Sequence, residues 1–114
     1  MVIDRFENII AWQKSKVLCV EVYKLFSNHR DFGFRDQIQR ASVSVMNNIA
    51  EGFERKTNKE FLFFLNVAKG SCGEVRSMLI LANELNKIND QEFNVLFDLS
   101  EETSRIISGL IKTL

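Results

Sequence analysis

Apolar positions in this chain recur every three or four residues, the period of a helix face, in four stretches separated by short polar breaks. The first stretch predicts a helix from about Arg5 to Ser27, with Asp4 and Glu7 at capping-box spacing. Phe6, Ile10, Gln13, Val17 and Val20 form one of its stripes, and Trp12, Cys19, Tyr23 and Phe26 form a second. A helix apolar on two sides of a small bundle points to a partner. The segment SNHRDFGF breaks it, with Asn28, Asp31 and Gly33 as turn residues. A second helix then runs from Phe34 to Glu54, facing inward with Ile38, Ala41, Val45, Ile49 and Phe53, and with Ser42 and Met46 beside them. Thr57 and Glu60 form a capping box for the third helix, whose seam is Phe61, Leu65, Ala68, Cys72, Val75, Leu79 and Ala82. Asn66, Gly70, Gly73 and Ser77 run alongside that seam and are smaller still. Each glycine inside a helix costs about 1 kcal/mol relative to alanine, and the compensation expected here is close approach of a neighbouring helix. Asn89 and Glu92 cap a fourth helix from Asp90 to Lys112, with Phe93, Leu96, Ser100, Thr103, Ile107, Leu110 and Leu114 inward. Short connections favour antiparallel neighbours, so the pattern predicts an all-α, up-down-up-down four-helix bundle, one domain over residues 1–114.

Composition sharpens this picture. Proline is absent from the 114 residues, which suits uninterrupted helices, and ten Phe supply bulk for a small core. No apolar run approaches the roughly 20 residues needed to span a bilayer, and the N-terminal stretch lacks the layout of a secretory signal. The chain reads as cytoplasmic with no membrane partner, and Cys19 and Cys72 read as reduced core residues.

Net charge is zero, so bulk charge gives nucleic-acid binding no support. Its distribution is uneven. Arg30, Arg35, Arg40, Arg55, Lys56 and Lys59 make the middle mildly basic, whereas Glu84, Asp90, Glu92, Asp98, Glu101 and Glu102 make the following region acidic. Solvated helix faces account for such a split, and so do the two unlike surfaces of a head-to-tail assembly. Should RNA be bound, Arg35, Arg40, Arg55, Lys56 and Lys59 are the expected contacts, the last three clustering where the second helix meets the third.

Catalytic patterns are sparse. The single His, His29, falls in a loop, no Cys/His cluster has zinc spacing, and no glycine-rich phosphate loop occurs. No cofactor is implied. What remains is a polar set at helical spacing: Ser44, Asn48, Glu51 and Arg55 on the second helix, Ser71 and Glu74 on the third, and Arg40 placed to neutralise Glu51 or Glu74. Two carboxylates and an amide admit acid–base work. With no nucleophile or metal ligand near by, the set reads instead as a network that fixes helix register, with Asn48 bonding a neighbouring helix.

The combination Arg40-Ala41-Ser42-Val43-Ser44, Asn48-Ile49-Ala50-Glu51-Gly52, Phe61, Phe64-Leu65, Ala68, Gly70-Ser71 and Glu74 resembles the four-helix-bundle family encoded in intervening sequences of bacterial 23S rRNA genes. Trp12-Gln13-Lys14 and Val22-Tyr23 fit that family's first helix, and Met46 stands where a proline is common, which predicts an unkinked second helix. The resemblance implies a cytoplasmic bacterial protein that forms a homo-oligomer, a ring of five, with no established biochemical activity. It also implies kinship with the accessory proteins of diversity-generating retroelements, which work with a reverse transcriptase and nucleic acid. Two functions follow as expectations: a non-catalytic oligomeric scaffold or adaptor, or a module binding ribosomal or other structured RNA or a nucleic-acid-associated protein.

Overall fold

The computed structural model describes residues 3–114. A single 3-10 turn at Phe6–Asn8 precedes four helices: α1 (Ile10–Phe26), α2 (Phe32–Phe53), α3 (Asn58–Glu84) and α4 (Asp90–Lys112). Each helix packs on two neighbours, α1 and α3 both touching α2 and α4, while the diagonal pairs do not meet. With connections this short, that arrangement is the expected antiparallel bundle. Its long axis of 43 Å is set by α3, whose 27 residues rise about 40 Å at 1.5 Å per residue.

The core follows the inward face read from the sequence on three of the four helices. Ile38, Ala41, Val45 and Ile49 of α2 are buried, as are Leu65, Ala68, Cys72, Val75, Leu79 and Ala82 of α3 and Leu96, Ser100, Thr103 and Ile107 of α4. Phe61 and Phe53 pack at the rim, ring edge to ring face. Leu114, assigned inward on α4, is exposed, because the helix ends two residues earlier and the chain leaves the bundle. Helix α2 runs unbroken past Met46, as expected for a helix without proline.

The first helix starts later than the sequence reading placed it, and its inward face coincides with neither of the two stripes. Ile9 adopts an extended conformation, φ −80° and ψ 121°, which separates the 3-10 turn from α1 and lets the Ile9 side chain enter the core. Asp4 and Glu7 therefore form no capping box: Glu7 pairs with Arg5 at 2.9 Å, and its carbonyl accepts from the Gln13 amide at 2.8 Å. The inward face of α1 is Ala11, Ser15, Leu18, Cys19, Val22 and Phe26. Ile10, Val17 and Val20 point outward, 61%, 44% and 45% exposed. Ser15 can occupy a core position because its hydroxyl donates to the Ala11 carbonyl at 2.7 Å.

The ends of the other helices are capped locally. Asp31 accepts from the Phe34 amide, so α2 starts two residues before the expected Phe34 and Gly33 lies in its first turn rather than in the loop. That backbone bond, then the Lys87 ammonium at 3.1 Å, hold the Asp31 carboxyl below the usual aspartate range. Lys87 thereby ties the α3–α4 connection to the α1–α2 connection. Thr57 caps α3 through the Glu60 amide, but the Glu60 carboxylate returns to the Thr57 hydroxyl rather than its N–H, so only half of the expected box forms. Asn89 and Glu92 form the complete box on α4. Helix α3 is terminated by Asn86, two residues past its last turn, whose φ of 57° places it in the left-handed region. The Lys87 and Asn86 amides bond back to Ala82 and Asn83, the paired contacts of a Schellman ending.

Glycines divide sharply by environment. At Gly52 an added Cβ would lie 2.7 Å from Phe64 Cβ and 3.0 Å from Phe61 Cδ1, so bare backbone is what lets α2 sit against α3 here. At Gly70 and Gly73 such a carbon would meet nothing within 4 Å. The close intramolecular packing expected along Asn66, Gly70, Gly73 and Ser77 is therefore absent: this stripe lies away from the buried seam, on the outer side of α3. Among the described residues, no helix is long and apolar enough to cross a membrane.

Candidate functional site

The polar set is assembled where α2 crosses α3. The Ser44 and Ser71 hydroxyls lie 2.9 Å apart and form one link between the two helices. The Asn48 amide donates to the Ser44 hydroxyl at 2.9 Å and to the Ser44 carbonyl at 2.8 Å. Asn48 thus does not reach across to another helix, as the sequence reading expected. It fixes Ser44, and Ser44 makes the crossing. The reason is geometric: a residue four positions along the same helix lies within reach of a short amide side chain. All three side chains are half-buried. Replacing Asn48 with Ala is expected to cost about 1 kcal/mol, the net value of a half-buried hydrogen bond, with the helical spectrum unchanged. An unaltered denaturation midpoint would remove Asn48 from the network.

Arg40 is exposed and forms no direct pair with either carboxylate. Its guanidinium donates to Gln37 Oε1 at 3.3 Å, and Gln37 in turn donates to Glu74. Gln37, absent from the sequence-based set, is the actual bridge between α2 and Glu74. Glu51 pairs instead with Arg55 at 2.8 Å, one turn away, and Arg55 also faces Glu60 at 3.9 Å across the α2–α3 connection. Arg55 stacks over the Phe64 ring, 4.8 Å from its centroid. Gly52 lies between these two ion-pair residues in sequence and beneath Phe61 and Phe64 in space. The motif therefore divides into two packing devices: a serine link at Ser44 and Ser71, and a glycine contact at Gly52.

Ser44 is engaged on both sides by Asn48 and Ser71, with no imidazole or carboxylate in hydrogen-bond reach of its hydroxyl. The lone imidazole, His29, packs on Phe26 at the α1–α2 connection. Cys72 is buried, and burial pushes its thiol up to about 11 while it donates to the Ser100 carbonyl at 3.2 Å. A thiol so protonated is a poor nucleophile. Cys19 is buried too, its sulfur 3.4 Å from the Ser42 hydroxyl, and the two cysteines are not bonded to each other. Among the described residues, no group of three or more His, Cys, Asp or Glu is arranged to hold a metal.

Of the basic residues marked for RNA contact, Arg35 is paired with Asp36 at 3.0 Å and Arg55 with Glu51 and Glu60. Arg40 is held by Gln37. Lys56 and Lys59 are exposed and form no ion pair among the described residues.

A second feature was read in the sequence on α1 but not on α3. Large exposed apolar side chains concentrate on two helices: Ile10, Val17, Val20 and Tyr23 on α1, and Phe63, Val67, Ile80 and Leu81 on α3, with Leu85 just beyond. Helices α2 and α4 contribute one each, Phe32 and Val95. Phe63, Val67, Gly70, Ser77 and Leu81 follow steps of four, three and seven, so they share the outer face of α3 with the two open glycines. The signal was present as a second period on α3, masked by the stronger buried seam.

Comparison with known proteins agrees with this architecture. A family model described as 23S rRNA-intervening sequence protein matches residues 7–109. A solved structure from Bacteroides thetaiotaomicron, described as a protein with unknown function from the S23 ribosomal protein family, superposes with a TM-score of 0.85. The two chains are 23% identical, over 90% of this chain and 98% of that one. Among curated proteins, none matches this sequence.

Proposed function

The chain belongs to the 23S rRNA-intervening sequence protein family, and from that premise we propose that it acts as a non-catalytic, homo-oligomeric scaffold of the cytoplasm. The observation that carries this reading is the pair of unpartnered apolar faces on α1 and α3. These helices occupy diagonal corners of the bundle, so the two faces look in different directions and cannot serve each other within one protomer. Two unlike faces on one molecule are what a head-to-tail contact needs, and a head-to-tail contact whose rotation closes makes a ring. We assign the α1 face of one copy (Ile10, Val17, Val20) to the α3 face of the next (Phe63, Val67, Leu81).

Gly70 and Gly73 fit this assignment. They weaken α3 as an isolated helix and no intramolecular neighbour uses the space they leave. A helix from an adjacent copy would approach closely there, which supplies the compensation the bundle itself lacks. The polar devices at Ser44–Ser71 and Gly52 hold α3 on α2, and so hold the outer face of α3 in position. Five copies is the number the motif resemblance implies.

Light scattering coupled to size exclusion tests this. At micromolar concentration the expected mass is five times the 13.2 kDa protomer. A mass of one protomer would refute the scaffold reading.

A further inference from the structure

A groove of about 440 Å³ runs between α3 and α4. Lys69 and Arg76 line it from α3, and Arg105 and Lys112 from α4. Each pair is separated by seven residues, two helical turns, so each helix presents its two cations on one face about 10.5 Å apart. One carboxylate, Glu101, shares the groove. In a chain of zero net charge, this is a local excess of positive charge. None of the four cations forms an ion pair among the described residues.

The hydroxyls add to this. Ser15, Ser42, Ser100 and Thr103 each donate to a carbonyl three or four residues earlier on their own helix. Ser104 and Ser108, which line the groove, make no such bond. Their hydroxyls remain free to donate into it. No apolar side chain lines the groove, in contrast to the outer faces of α1 and α3. A protein partner normally brings an apolar centre to its interface. A groove of cations and hydroxyls without aromatic rings lacks the stacking platforms that hold bases. Its donors match phosphate oxygens.

We propose that this groove binds the phosphodiester backbone of nucleic acid, with Lys69, Arg76, Arg105 and Lys112 pairing with phosphates and Ser104 and Ser108 donating to their oxygens. Recognition is of the backbone and carries no sequence preference. The α3–α4 packing runs α3 and α4 antiparallel, so Lys112 lies at the end of the bundle where α2 meets α3. There Lys56 and Lys59 can extend the path. The groove lies within one protomer, so it does not depend on assembly; a ring would repeat it and add avidity.

The test is fluorescence anisotropy of a short, labelled, mixed-sequence single-stranded RNA over a salt series. Four phosphate contacts at about 0.7 each predict a log–log salt slope of about −2.8. In the double variant Lys69→Ala/Arg105→Ala, both exposed positions, the slope is expected to flatten by about 1.4, with the helical spectrum and assembly mass of the wild type. A DNA strand of the same sequence is expected to bind alike. Lys56→Ala/Lys59→Ala serves as the comparison and is expected to weaken binding less. No binding by wild type at low salt would overturn the proposal. So would loss of binding in the Lys56/Lys59 variant with an unchanged Lys69/Arg105 variant, which would move the site to the α2–α3 junction. If the Lys69/Arg105 variant loses assembly mass but keeps its RNA affinity, the groove seats the acidic surface of a second copy instead.

Discussion

Gly52→Ala is expected to destabilise the protein by about 2 kcal/mol, even though alanine is the better helix former by about 1 kcal/mol. The added methyl would stand 2.7 Å from Phe64 Cβ, 3.0 Å from the Phe61 ring and 3.4 Å from the Phe61 carbonyl. Phe64 Cβ and the Phe61 carbonyl are tied to the α3 backbone and cannot swing aside as a side-chain tip can. Relief requires α2 and α3 to separate, which loosens Ile49, Leu65 and the Ser44–Ser71 link together. In a chain of this size that corresponds to a fall in Tm on the order of 10 °C, compared at equal protomer concentration because assembly shifts Tm. The same change at Gly109, where an added carbon meets nothing within 4 Å, is expected to be neutral or stabilising by up to about 1 kcal/mol. A Gly52→Ala protein as stable as wild type would show that α2 and α3 are not held at the distance described.

The contrast between these glycines shows what the sequence could and could not reveal. All of them stand inside helical patterns, and the pattern alone does not say which has a neighbour. Gly52 was legible only as part of the motif Asn48-Ile49-Ala50-Glu51-Gly52. Its role, bare backbone with a phenylalanine backbone pressed against it, depends on the register between two helices. Gly70 and Gly73 drew the expectation of close packing, and in the bundle they are open. Helices α2, α3 and α4 were legible in position and inward face, because each carries one dominant apolar stripe. The inward face of α1 was not legible because the helix carries more than one. Ile10, Val17 and Val20 are as apolar as Leu18 and Val22, while its true inward face includes Ala11 and Ser15, which contribute little to a hydrophobic period. Ser15 is satisfied by its own backbone, a fact visible only once the helix is built. Ser44 and Ser71 meet at the α2–α3 crossing, but the wiring of the polar set was not readable. Gln37 bridges to Glu74, and Arg55 rather than Arg40 meets Glu51. The basic groove escaped for a similar reason. Lys69 with Arg76 and Arg105 with Lys112 are each at heptad spacing, yet their convergence requires α3 and α4 side by side.

The largest effect on assembly is expected from a charge placed in either outward apolar face. Val17→Glu on α1 and Leu81→Glu on α3 each replace an exposed side chain, so the bundle should fold as before. In an assembled contact the carboxylate would be buried without a partner, at a penalty of about 3–5 kcal/mol. That weakens one contact by roughly two to four orders of magnitude. Each variant alone is therefore expected to elute as a single 13.2 kDa protomer. The faces are unlike, however, so the two variants complement each other. Val17→Glu keeps an intact α3 face and Leu81→Glu keeps an intact α1 face, and together they can form one good contact and no second.

Mixing the two variants in equal amounts and measuring the mass by light scattering is the most direct test that the protein is a head-to-tail scaffold built from these faces. The expected result is a species of twice the 13.2 kDa protomer mass that appears only in the mixture and grows no larger. Either variant forming dimers alone, both keeping the mass of the wild-type assembly, or a mixture that stays monomeric while the wild type assembles would contradict it.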